Sequence, residues 1–160
     1  MKRFTRSLRS SVAHRDWYVA LTSALTLPDV CGRLIDPTAK TGTRYAAWFD
    51  EWMGPLYTGF LGGDDCYALR CSYLHQGESD VKNQKASKVL TDFKFYQPHP
   101  NLFVHRNRIN NTLQLQVDVF CLEMADAVDG WLESVQNDPD ISARRDSLLF
   151  IDALVPAIYR

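Results

Sequence analysis

No apolar run approaches the roughly 18 residues that a membrane-spanning helix needs, so no membrane span is expected in this chain of 160 residues. An apolar h-region is also missing from the start, which argues against a secretory signal. The first fifteen residues hold no acid: Lys2, Arg3, Arg6, Arg9 and Arg15 are interleaved with Ser7, Ser10 and Ser11. That is the composition of a transit peptide, but a basic, partly ordered arm over residues 1–12 is the expectation. Four cysteines (Cys31, Cys66, Cys71 and Cys121) show no C-x-x-C pairing, as in a cytoplasmic protein whose thiols stay reduced. A zinc site built from Cys66, Cys71 and His75 is not expected, because their spacing spreads them around a helix.

An excess of charge of either sign is missing too. A net charge of −1 and a pI near 6.4 exclude a protein that coats nucleic acid by bulk electrostatics, so any such contact has to be local. No internal repeat or low-complexity tract breaks the chain, and one domain over residues 1–160 is expected, large enough to bury a core without staples. No metal or other cofactor is expected.

What the sequence does contain is helical periodicity, interrupted once. Trp17, Ala20, Leu21, Ala24 and Leu25 predict a helix from about Ala13 to Thr26, with Pro28 opening a short second piece through Val30 and Leu34. Asp36-Pro37 then begins a polar connection that contains Gly42. Tyr45, Trp48, Phe49, Trp52 and Leu56 form an aromatic stripe at helical spacing, which reads as core. Pro55 should kink or end that helix, and Gly59, Gly62 and Gly63 make a turn. Asp64 is placed as N-cap of the next helix, with Asp65 in its first turn and Gly77 as its C-cap.

After a polar segment from Glu78 to Lys88 the period changes from 3.6 to 2. Val89, Phe93 and Phe95, then Leu102 to Val104, then Leu113, Leu115 and Val117 predict a β-hairpin or meander. Its turns fall at Pro98–Asn101 and Asn110–Asn111. From Asp118 the helical period returns through Val135, and Asp138-Pro139 opens a last helix through Leu148 and Leu149. The fold class is therefore mainly α, with a small strand-rich insertion over residues 89–117 before the fourth main helix.

Within Cys66–Gln76 lie Arg70 and His75, separated by four positions. An always-charged guanidinium holds a phosphate, and an imidazole moves a proton near neutral pH. Residues five apart on an ideal helix are turned by about 140°, so spacing alone does not put the pair on one face. The arginine stem is long enough to sweep back, and the last turn before Gly77 can tighten. The plain alternative is a mid-helix arginine and a histidine that the C-terminal dipole favours.

The stretch Asp64 to Gly77, an apolar helix bearing R-x4-6-H with a glycine exit, resembles the signature helix of the HEPN superfamily. The two preceding helices and the one that follows resemble its helical bundle, whereas the strand-rich stretch has no counterpart there. The resemblance implies a metal-independent endoribonuclease, with His75 as general acid–base, Arg70 on the phosphate, and a 2′,3′-cyclic phosphate as product. It also implies a homodimer in which two motif helices meet, an RNA substrate, and a toxin or defence effector with an antitoxin or defence-system partner. Where catalytic members often carry Asn, Asp or His directly after the arginine, this chain has Cys71. That departure suits the alternative, a non-catalytic HEPN-like dimerisation or partner-binding module.

Asp64, Asp65 and Ser72 are the supporting candidates around the pair. Phe103, His105, Arg106 and Arg108 form a candidate basic-aromatic patch for single-stranded RNA, against the plainer reading of a solvated strand edge. His14 and His99 read as surface residues. Glu123, Asp126, Asp129 and Glu133 read as the solvent face of one helix.

Overall fold

In the computed structural model, which describes residues 1–152, the basic start of the chain is a helix rather than an arm. α1 spans Lys2–Ala13 and buries Thr5 and Leu8, with Met1 buried just ahead of it. Its polar face is paired: Arg9 donates to Asp126 (2.6 Å) and Asp129 (2.7 Å), and the Thr5 hydroxyl donates to Asp129 (2.9 Å). Phe4, Thr5, Leu8 and Val12 recur at helical spacing, so one stripe faces inward although arginine and serine dominate the composition.

The first predicted helix and the short piece after it are a single element, α2 (Trp17–Ile35), which continues through Pro28. A proline removes one N–H and crowds the preceding turn. Here Leu25, Leu27, Pro28, Cys31 and Leu34 are all buried on either side of it, and that packing outweighs the local cost. α3 (Thr41–Trp52) carries the aromatic stripe, with Tyr45, Trp48 and Phe49 buried, and the one-turn α4 (Gly54–Tyr57) follows with Pro55 near its start. α5 (Gly63–Gln76) packs on α3 and α2.

The strand region is neither a plain hairpin nor a meander. β1 (Asp92–Tyr96), β2 (Asn107–Ile109) and β3 (Thr112–Gln116) form a sheet in the order β1-β3-β2. β1 runs parallel to β3, pairing Phe93 with Leu113 and Phe95 with Leu115, while β2 and β3 are antiparallel about Asn110–Asn111. Leu102 to Val104 are outside the strands, and Val117 starts the next helix instead of ending a strand. That helix, α6 (Val117–Ser134), packs on α1 and α2. α7 (Pro139–Asp146) opens with the Asp138 side chain accepting from the Ile141 N–H (2.9 Å), as its sequence requires, and stops before Leu148. Arg144 on it donates to the Leu34 carbonyl at the end of α2 (2.6 Å). Among the described residues no helix is long and apolar enough to cross a membrane.

The position of α5 is set by a close helix crossing. A Cβ at Gly63 would lie 2.3 Å from the Ala46 carbonyl oxygen and 2.6 Å from its Cα, so only glycine lets α5 approach α3 this closely. Gly63→Ala must therefore push two backbones apart. We expect it to lower stability by about 3 kcal/mol in urea unfolding, whereas Gly54→Ala, with no atom nearer than 3.8 Å, should cost about 1 kcal/mol or less. Equal stabilities would remove the crossing as the constraint.

Candidate active site

α5 begins at Gly62 as N-cap, not at Asp64. The carboxylate that meets its free N-terminal donors comes from α3: Asp50 accepts from the Gly63 N–H at 2.6 Å. Asp64 is exposed, and with Asp65 it places negative charge in the first turn, where the helix dipole favours it. Asp65 is buried and turned away from the motif. It accepts from the backbone N–H of Lys88 (2.7 Å) and Val89 (3.2 Å) and from the Ser87 hydroxyl (3.4 Å), pinning the segment that leads into the sheet. Ser72 is also structural: its buried hydroxyl donates to the Asp80 carbonyl (2.7 Å). None of these three supporting candidates touches Arg70 or His75.

Arg70 and His75 themselves do meet. Arg70 Nη1 lies 3.2 Å from His75 Nε2, across the 140° offset expected of the spacing. A guanidinium only donates, so Nε2 is the acceptor, and the ring in this contact is neutral with its proton on Nδ1. Directly beyond, Gly77 takes the left-handed conformation (φ 73°) and its N–H returns to the Tyr73 carbonyl (2.9 Å), closing the helix at the histidine.

A third group completes the cluster. Arg70 Nε donates to Asp29 Oδ2 on α2 at 2.8 Å, with side chains 20% and 14% exposed. Burial opposes the Arg70 cation, but the Asp29 carboxylate and the Cys71 sulfur outweigh it and raise its pKa, so the group stays charged. For Asp29 the balance falls the other way: burial pushes its pKa up further than Arg70 and Arg44 pull it down. Asp29 is not legible as a site residue in the sequence, where Pro28 reads as the opening of a short second piece, whereas α2 is continuous and carries Asp29 to Arg70. Its signal is that it is the only acid in the nineteen residues of α2.

Cys71 is half-buried beside Arg70. Cys66, by contrast, faces the core against the Tyr45 hydroxyl (3.4 Å), and burial pushes its thiol up to about 12. The two sulfurs therefore serve different surroundings. The pair lies on open surface: His75 is exposed, and a cleft of about 670 Å³ at the other end of α5, lined by Tyr57, Gly62, Asp64 and Lys88 among others, contains neither residue.

The expected RNA patch is split. Phe103 is exposed (69%) and Arg108 lies on the exposed strand β2. His105 and Arg106 turn inward onto Glu123, which also corrects the reading of that helix face as solvent. Glu123 accepts from the Tyr57 hydroxyl (2.7 Å), from His105 Nε2 (3.3 Å) and from Arg106, whose guanidinium lies 5.0 Å over the Tyr57 ring. The Gln116 N–H donates to His105 Nδ1 (3.2 Å), which leaves the ring proton on Nε2. Of the acidic run only Glu133 has a carboxylate with no hydrogen bond or ion pair among the described residues; Asp126 and Asp129 hold α1.

Compared with known protein families, curated proteins and solved structures, the chain matches none.

Burial raises the Glu123 pKa, but the hydrogen bonds from His105 and Tyr57 and the charge of Arg106 outweigh it and leave the carboxyl below its ordinary value. A depressed carboxyl stabilises the fold above its unfolded pKa of about 4.3 and loses that contribution as pH falls through the folded value. Glu123→Gln should therefore cost about 3 kcal/mol at pH 7, with the gap to wild type narrowing below about pH 4. Urea midpoints from pH 7 to 3 check this, and parallel acid limbs would count against it.

Proposed function

We propose that the protein is a metal-independent endoribonuclease of HEPN type. The observation that carries the reading is the contact between Arg70 Nη1 and His75 Nε2 on the exposed end of α5. It supplies a fixed cation for a phosphate beside a neutral imidazole able to take a proton.

In the proposed reaction the substrate phosphate replaces His75 as the acceptor for Nη1, since a charged acceptor makes the stronger hydrogen bond. That frees the Nε2 lone pair to remove the ribose 2′-hydroxyl proton. The O2′ attacks phosphorus and the bond to O5′ breaks. The proton held as imidazolium goes to the leaving O5′. Arg70 stabilises the charge that builds on the phosphate oxygens. The products are a 2′,3′-cyclic phosphate and a 5′-hydroxyl, with no water consumed. A DNA strand, lacking the 2′-hydroxyl, offers no nucleophile.

A second reading is a non-catalytic HEPN-like module for dimerisation or partner binding. Cys71 favours it, because it stands where a polar neighbour of the arginine would assist chemistry.

Purified protein incubated with single-stranded RNA in EDTA should cut it and leave cyclic phosphate ends. His75→Ala should slow cleavage by about 10²–10⁴-fold, the range that general acid–base catalysis contributes. DNA of the same sequence should remain whole. RNA left intact by the wild type, or cut equally well by His75→Ala, would reject the enzyme in favour of the binding module.

A further inference from the structure

We propose that Asp29 is the positioning residue of the Arg70–His75 pair: by holding Nε from α2 it lays the guanidinium across to the imidazole. The inference rests on the ribonuclease reading for its catalytic consequence, but its geometric part does not. An arginine side chain has many rotamers, and the about 140° between these two helix positions leaves most of them far from His75. Asp29 anchors the side chain at its root end, 2.8 Å from Nε, and so selects the sweep that brings Nη1 within 3.2 Å of Nε2. Asp29 takes only the Nε–H and His75 one Nη1 hydrogen, so three of the five guanidinium N–H donors have no partner among the described residues and can be offered to a phosphate.

The state of Asp29 itself argues against a purely stabilising role. Oδ1 is buried and has no hydrogen-bond partner among the described residues. A half-satisfied carboxylate in a protected position costs stability, and a chain that keeps one at a functional pair is departing from good packing locally. Arg44, the other cation near Asp29, is engaged elsewhere, donating to the Ala39 carbonyl (2.9 Å) and the Thr41 hydroxyl (3.3 Å). That leaves Arg70 as the group Asp29 holds.

The test uses the whole chain with Asp29→Asn, Asp29→Leu and Asp29→Glu. Long-range ¹H–¹⁵N spectra of the histidine rings report which nitrogen of His75 carries the proton. The wild type should show the Nδ1–H form, Asp29→Leu and Asp29→Asn should lose that preference, and Asp29→Glu should keep part of it. Thermal melts establish that the variants fold; Asp29→Leu and Asp29→Asn leave the Arg70 guanidinium without its carboxylate and should melt below wild type, and if Asp29→Leu fails to fold, Asp29→Asn decides. With RNA, kcat should fall by about 100-fold in Asp29→Leu while KM is little changed, as for a misplaced catalytic group. An unchanged His75 tautomer in the folded variants would overturn the positioning role. RNA left uncut by the wild type would instead overturn the ribonuclease reading, and the tautomer result would still decide what Asp29 does.

Discussion

The rest of the structure depends on how closely α5 approaches α3. At Gly63 the two backbones are near enough that no Cβ fits, and Asp50 of α3 receives the first N–H of α5 at the same point. One end of α5 is therefore fixed in depth and in direction. From there the helix has fourteen residues of fixed rise and turn before Gly77 stops it. Where Arg70 stands relative to Asp29 on α2 follows from that crossing. Tyr45 and Tyr67, with ring centroids 5.2 Å apart, continue the α3–α5 contact toward the motif, and Tyr67 in turn fills the space that a side chain at Gly42 would need.

Two acids hold the irregular half of the chain to this frame, and both resemble site residues in the bare sequence. Asp65 gathers backbone donors from Lys88 and Val89, which have no ladder partner there. Glu123 gathers Tyr57, His105 and Arg106 and so ties α4, the stretch before β2 and α6 at one point. Arg106 reaches it only by taking a left-handed backbone (φ 53°), a conformation uncommon for a residue with a Cβ. A carboxylate can satisfy several donors at once, so a small domain with one parallel strand pair and long connections uses a buried and a half-buried acid where a regular sheet would use its own carbonyls.

Much of the helical frame was legible because its signals are local. The aromatic stripe of α3, Gly77 as a left-handed stop and Asp138-Pro139 as a start each depend on neighbours in sequence. The errors fall where distant partners decide. Pro28 stays inside α2 because of buried residues on both sides of it. α1 is a helix because Asp126 and Asp129, more than a hundred residues away, receive Arg9. Strand β1 pairs in parallel with β3, and no hairpin signal encodes a partner across an intervening strand. His105 and Arg106 have the composition of an RNA-binding patch, yet a single glutamate turns both inward. For the site, the Arg70–His75 pair was readable and its third member was not: Asp29 lies forty-one residues before Arg70 and meets it only through the packing of α2 on α5.

That third member changes what the pair can do. A free arginine beside a histidine repels imidazolium and competes for its lone pair without any set direction. An arginine tethered through Nε has its charge partly balanced by the carboxylate, while its Nη edge still faces the imidazole. In the proposed reaction the same Nη1 hydrogen serves two acceptors in turn, Nε2 at rest and a phosphate oxygen with substrate bound. The exchange needs only a small rotation about the tether, so base and cation become available together when substrate arrives. Without substrate the neutral imidazole keeps its lone pair occupied. A site of this kind rests in a closed, self-satisfied state on open surface, which is how an exposed histidine and a half-buried arginine can sit together at the end of a helix.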